Sequence, residues 1–199
     1  MKTILYVDGR NFLGRLESVF VAEKLTTPSW ATYNFRGLLD KVLGEFKRDE
    51  EIFYFAKIKE HPDSIQKSQQ LIKERRELKA HLEQQKFKVV LSGNVRGNYV
   101  KNASNKNVLV FKEKGVDVGI AVDIAVAACD KKIKTAIIGS SDSDLQPAIS
   151  ELNKRKVESI YLGFGLSPNK GLSATTKQTI LIRNSEVVEF AENVFRKLQ

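Results

Sequence analysis

Short apolar runs punctuate the chain, each with the length and residue types of a strand. Thr3 to Val7, Ile52 to Ile58, Phe87 to Leu91, Thr135 to Gly139, Ser159 to Leu162 and Thr179 to Ile182 are rich in β-branched and aromatic residues, which favour the pleated backbone. They are continuous rather than alternating, the pattern of central strands covered on both faces. Between them lie stretches of helical periodicity or helix-forming composition, at about Asn11 to Ala22, Tyr33 to Lys47, Asp63 to Gln85, Asp117 to Ala128, Asp142 to Arg155 and Ser185 to Lys197. Such alternation predicts an α/β fold, a three-layer α/β/α arrangement with a mainly parallel sheet and right-handed crossovers.

Two segments depart from that rhythm. Asp63 to Gln85 mixes Lys67, Lys73, Arg75, Arg76 and Lys79 with Glu74, Glu77 and Glu83 around a narrow apolar stripe, so it is expected to be a solvated outer helix. Ser92 to Lys114 is rich in Gly and Asn and carries Arg96, Lys101, Lys106, Lys112 and Lys114 beside Tyr99. It reads either as a basic hairpin or lid across the strand ends or as a plain loop. The helix opening at Asp117 is apolar almost all round and is expected to lie buried against the sheet. No repeat and no long linker divides the chain, so one domain over residues 1–199 is expected, large enough to bury roughly 70% of its unfolded surface.

Composition narrows the classes further. With 42% hydrophobic and 29% charged residues the chain is globular rather than disordered. No apolar run approaches the roughly 20 residues of a membrane helix, and Met1-Lys2 leads straight into a strand, so neither a membrane span nor export is expected. The lone Cys129, set in an apolar stretch, suggests a buried small side chain and a reducing cytoplasm. Lys and Arg total 33 against 24 Asp and Glu, a formal charge of +9 that attracts a polyanion.

Acids stand where α/β sheets place their ligands, directly after strands. Asp8 ends the first strand, with Gly9 to turn the backbone and Asn11 either capping the next helix or reaching the crevice. Gly139-Ser140-Ser141-Asp142-Ser143-Asp144-Leu145 leads from another strand into a helix with more aspartates than capping requires. Lys114-Gly115-Val116-Asp117 opens the apolar helix, whose dipole favours the Asp117 carboxylate. Asp123 is rotated by about 240° from Asp117 at 100° per residue, which suits a buried polar contact better than ligation. Carboxylates without cysteine or histidine nearby form an all-oxygen site, which selects Mg²⁺ or Mn²⁺ over zinc. His61 and His81 fall in the charged middle segment at no ligand spacing and are expected at the surface.

Tyr6-Val7-Asp8-Gly9-Arg10-Asn11, Lys114-Gly115-Val116-Asp117 with Asp123, and Gly139-Ser140-Ser141-Asp142-Ser143-Asp144 together resemble the NYN domain family of PIN-like nucleases, in its LabA-like branch. The resemblance implies a PIN-like sheet order and a metal-dependent phosphodiesterase acting on RNA, with Asp8, Asn11, Asp117, Asp142 and Asp144 as its site residues. Asp8, Asp117 and Asp142 are then the principal Mg²⁺ or Mn²⁺ ligands, and Asp144 ligates or orients. Ser140, Ser141 and Asp123 support these from behind, while Arg10, Arg96, Lys101, Lys112 and Lys114 are the candidates for gripping nucleic acid, RNA before DNA. Arg10 stands where such proteins often carry a small or polar residue.

A non-catalytic RNA-binding or regulatory protein on the same fold is the alternative, as monomer or homodimer. A phosphatase of the haloacid dehalogenase type needs a second Asp where Arg10 stands. A nucleotide-binding module needs a glycine-rich phosphate loop, and neither that loop nor a GxxxxGK[ST] run is present.

Overall fold

The computed structural model describes residues 1–192. Strand β1 (Lys2–Asp8) runs into α1 (Gly9–Ala22) and α2 (Phe35–Val42), then β2 (Glu50–Lys57) and α3 (Ile65–Gln84). The antiparallel pair β3 (Lys88–Lys101) and β4 (Asn107–Lys114) leads to α4 (Val116–Cys129) and β5 (Ile133–Gly139). The chain continues through α5 (Gln146–Lys154), β6 (Glu158–Phe164), α6 (Lys170–Thr175), β7 (Gln178–Ile182) and α7 (Asn184–Glu189). The remainder of the terminal helix expected over Ser185 to Lys197, from residue 193 onward, lies outside the described residues.

Seven strands form one sheet in the order β4-β3-β2-β1-β5-β6-β7, and every pairing except that of β3 with β4 is parallel. The continuous apolar runs are explained by burial on both faces. Leu5 and Val7 of β1, with Phe53 and Phe55 of β2, join α1 to α3 in one core cluster. Their neighbours Ile4, Tyr6, Ile52 and Tyr54 point to the other side, where α4 and α5 build a second core. This alternation, period two within strands and helices over each face, is the three-layer α/β/α arrangement.

The chain builds outward from β1 to β4 and then returns to β5 on the other side of β1. Strand order therefore reverses between β1 and β5, and the crevice beyond their carboxyl ends is where such sheets place their chemistry. The β3–β4 hairpin contributes to the same edge. Lys57 at the end of β2 pairs with Asn94, and Asn94 pairs with Lys114. The rest of the hairpin thus projects past the sheet and returns Glu113, Lys114 and Asp117 to the crevice mouth. A glycine makes that return possible: Gly93 has φ +72, and a Cβ there would lie 2.2 Å from the Lys114 carbonyl oxygen. Gly93→Ala is expected to cost about 1–3 kcal/mol from the backbone conformation alone, and more from the clash with main chain. The check is a melting curve, with wild-type stability as the contrary result.

Several expectations need correction. Gly9 is already helical, and what it supplies is space: a Cβ there would sit 2.1 Å from the Phe55 ring. Only one face of α4 is buried, through Val116, Ile120, Ile124 and Ala128, while Val118, Val122 and Val126 are exposed. An all-apolar sequence carries no periodicity to reveal that difference. Cys129, at the end of α4, is exposed and free rather than buried. The histidines are half-buried: His81 contacts the Tyr33 carbonyl through Nε2 at 2.8 Å, and His61 packs edge-on to Phe111. Asp63 to Gln85 is α3 preceded by a single turn, and it is not wholly solvated, because Leu78 and Leu82 are buried and Arg75 turns inward.

Candidate functional site

A cleft of about 230 Å³ opens at the switch point, lined by Asp8, Arg10, Asn11, Glu113, Asp117 and Asp142 among others. Each acid arrives by a backbone device. Asp8 is the last residue of β1 and the N-cap of α1, its Oδ1 accepting the Asn11 N–H at 3.0 Å. Asp117 sits in the first turn of α4, where free backbone N–H groups and the helix dipole favour its charge. Asp142 caps the single turn Ser143–Leu145 that precedes α5, its Oδ1 accepting the Asp144 N–H at 3.0 Å.

Asn11 does not cap α1, because Asp8 does. Its side-chain oxygen instead accepts the Ser141 N–H at 2.9 Å, tying the start of α1 to the loop after β5. That loop is held from behind. Ser140 Oγ accepts the Asp142 N–H at 3.1 Å, and Ser141 Oγ lies 3.2 Å from the buried Tyr161 hydroxyl. Asn169, the N-cap of α6, donates its backbone N–H to that hydroxyl and its side-chain N–H groups to the Ser141 carbonyl and Ser143 Oγ. The loop bearing Asp142 and Asp144 is therefore fixed at several points before any ligand arrives, the preorganisation a charged site requires.

Asp117, Asp142 and Asp144 each bring one carboxylate oxygen to within 4.8 Å of the others. Asp8 lines the same cleft but is not in that group, and it is only 7% exposed. Burial pushes the Asp8 carboxyl up to about 6; the Asn11 N–H opposes the rise, and Glu113, Asp142 and Asp117 add to it. The donor set fits a hard divalent cation, since clustered carboxylate oxygens without sulfur or imidazole match Mg²⁺ or Mn²⁺.

Glu113 is the residue that sequence reasoning missed. Its Oε1 accepts a hydrogen bond from Arg75 Nη2 at 2.9 Å, and its Oε2 accepts one from the Ala56 N–H at 3.4 Å, which brings the carboxylate to the cleft wall. The only available signal was alternation: Val108-Leu109-Val110-Phe111 is a strand run, and Glu113 falls on the Phe111 side of it. Asp123 is exposed rather than buried and accepts the Tyr54 hydroxyl at 2.8 Å; it lies outside the cluster. Among the basic candidates, Arg10 lines the cleft, while Arg96, Lys101, Lys112 and Lys114 are exposed on the hairpin. Arg96 is directly opposite Lys112 in the register, a like-charge pairing that costs stability unless an anion covers it.

The NYN domain family model matches residues 2–183. Among solved structures, a protein of unknown function from Vibrio parahaemolyticus is similar, with a TM-score of 0.57, 16% identity and coverage of 91% of this chain and 93% of that one. No curated protein matches the chain. Among the described residues, no helix is long and apolar enough to cross a membrane.

Proposed function

The chain belongs to the NYN domain family, a PIN-like nuclease family, and from that premise we propose that it is a metal-dependent ribonuclease whose cleft at the β1/β5 switch point hydrolyses phosphodiester bonds. The observation that carries the proposal is the convergence of Asp117, Asp142 and Asp144 within 4.8 Å, beside the buried Asp8.

Asp117, Asp142 and Asp144 would hold a Mg²⁺ or Mn²⁺ ion, which supplies charge neutralisation at the phosphate and a lowered pKa for water when bound. The remaining steps belong to the chain. Asp8 uses Oδ1 on the Asn11 N–H, which leaves Oδ2 to orient the attacking water and take its proton. Asn11 fixes the spacing between Asp8 and the Asp142 loop by holding the Ser141 N–H. Glu113 adds negative charge on the far wall and is itself held by Arg75. Arg10, at the mouth, and the exposed Arg96 and Lys112 engage backbone phosphates. The free, exposed Cys129 fits a reducing compartment, the cytoplasm.

Matched labelled single strands of RNA and DNA, incubated with Mn²⁺, Mg²⁺ or EDTA, test the reading. RNA cleavage with either metal and none in EDTA is expected; binding without cleavage under every condition would leave a regulatory RNA-binding protein instead. RNA affinity should also fall about tenfold or more between 50 and 200 mM salt, as ~3 phosphate contacts release counterions. An affinity indifferent to salt would remove the hairpin cations from the account.

A further inference from the structure

Beside the acidic cleft lies a second cavity of about 490 Å³, sharing Arg10 and Glu113 with it. The size is within the roughly 300–1,000 Å³ of small-ligand sites. Its charged lining is Arg10, Arg75 and Lys112 against the single carboxylate of Glu113, and Phe111 and Ile58 supply apolar wall. The cavity is therefore cationic where the cleft is acidic, and the two are contiguous.

Arg75 is unusual for a residue of a charged outer helix. Its guanidinium is stacked 4.0 Å from the Phe55 ring centroid, and its side chain is only 17% exposed. Nη2 donates to Glu113, but Nη1 is buried with no hydrogen-bond partner. Burial lowers its pKa, and the neighbouring Arg10 works in the same direction although Glu113 opposes it. An arginine still carries its proton under these conditions, so the site holds an under-satisfied cation beside a second one. Leaving such a donor unpaired costs free energy, which an anionic ligand would relieve. Phe111 is held in place by His61, at 5.8 Å between ring centroids, and by Lys67, 5.5 Å over its ring. A fixed aromatic ring beside paired cations is the combination that binds one base and one phosphate of a single strand.

We propose that this cavity is the subsite for the nucleotide adjoining the scissile bond, with Arg10 and Arg75 on its phosphate and Phe111 against its base. The ligand class rests on the ribonuclease reading above, and a consequence is selectivity for single strands. A duplex keeps its bases stacked and cannot place one against Phe111.

Fluorescence anisotropy in EDTA, where no cleavage occurs, reads the subsite by itself, using a labelled single-stranded RNA and a blunt-ended RNA duplex. Arg10→Ala should weaken single-strand binding about tenfold and reduce the salt slope by about one. Arg75→Lys keeps the charge but loses the planar fork and should weaken it several-fold. Phe111→Ala should weaken single-strand binding about tenfold and leave duplex binding unchanged. Phe111→Leu, which retains the apolar wall, serves if the alanine variant does not fold. Wild-type single-strand affinity in Arg10→Ala and Phe111→Leu, with metal-dependent cleavage intact, would overturn the subsite and leave the nuclease standing. Equal losses for single strand and duplex in the Phe111 variants would overturn it as a base-holding site. The expected binding losses in a protein that never cleaves with metal would support the cavity as a nucleotide-binding site and remove the nuclease.

Discussion

Asp8→Asn and Asp142→Asn should each lower RNA cleavage in Mn²⁺ by at least about a hundredfold, the scale on which removal of a preorganised charge acts, while neither variant loses stability in EDTA. Both substitutions keep the shape and the capping acceptor, since an Asn Oδ1 can still receive the Asn11 or Asp144 N–H that the aspartates accept. What disappears is one charge from a cleft where Asp8, Glu113, Asp117 and Asp142 face one another. Function and stability then separate, as expected of a site that stores electrostatic strain. Cleavage assays beside melting curves in EDTA measure this, and wild-type cleavage by both variants would remove this cleft as the site of cleavage. Asp123→Asn should differ, keeping cleavage near wild type, because that carboxylate engages the Tyr54 hydroxyl outside the cluster.

In the absence of metal, stability should fall as pH rises from about 4 to about 6. The cause is Asp8, whose carboxyl is pushed by burial from an ordinary value near 3.8 to about 6. Between those values the folded protein holds a proton that the unfolded chain has released, so unfolding free energy decreases with pH. The contribution is fully present below the lower value and is gone above the upper one. The difference corresponds to about 3 kcal/mol, and for a chain of this size each kcal/mol moves the melting temperature by about 2–4 °C. Asp8→Asn carries no titrating carboxyl and should lack this component, so the gap between the two melting profiles in EDTA isolates it. Saturating Mn²⁺ should restore wild-type stability above pH 6 by mass action. Parallel profiles for the two proteins would show that Asp8 has an ordinary carboxyl and is not the buried acid described here.

The strands were legible because burial on both faces leaves a continuous apolar run, and Leu5 with Val7 and Ile4 with Tyr6 do divide between the two cores. The positions of Asp8 and Asp142 were legible for the same reason, since each follows such a run. What was not legible is what depends on pairing. The β3–β4 hairpin was legible only as one of two readings of Ser92 to Lys114, because Val108 to Phe111 sits among lysines and asparagines; the antiparallel pairing decides for the hairpin. Glu113 and Arg75 could not be found from spacing, because they meet across the gap between α3 and the hairpin. Asn169 and Tyr161 hold the Asp142 loop through hydrogen bonds between segments far apart in the chain. The exposed valines of α4 were hidden for the opposite reason, too much hydrophobicity rather than too little.

The most direct test of the central claim is the rate of cleavage of a 5′-labelled single-stranded RNA at graded Mn²⁺ concentrations, with EDTA and subsequent Mn²⁺ readdition in the same series. A site formed by Asp117, Asp142 and Asp144 predicts a rate that saturates with Mn²⁺, vanishes in EDTA and returns on readdition. A rate unchanged by EDTA, or no cleavage at any Mn²⁺ concentration, would contradict it.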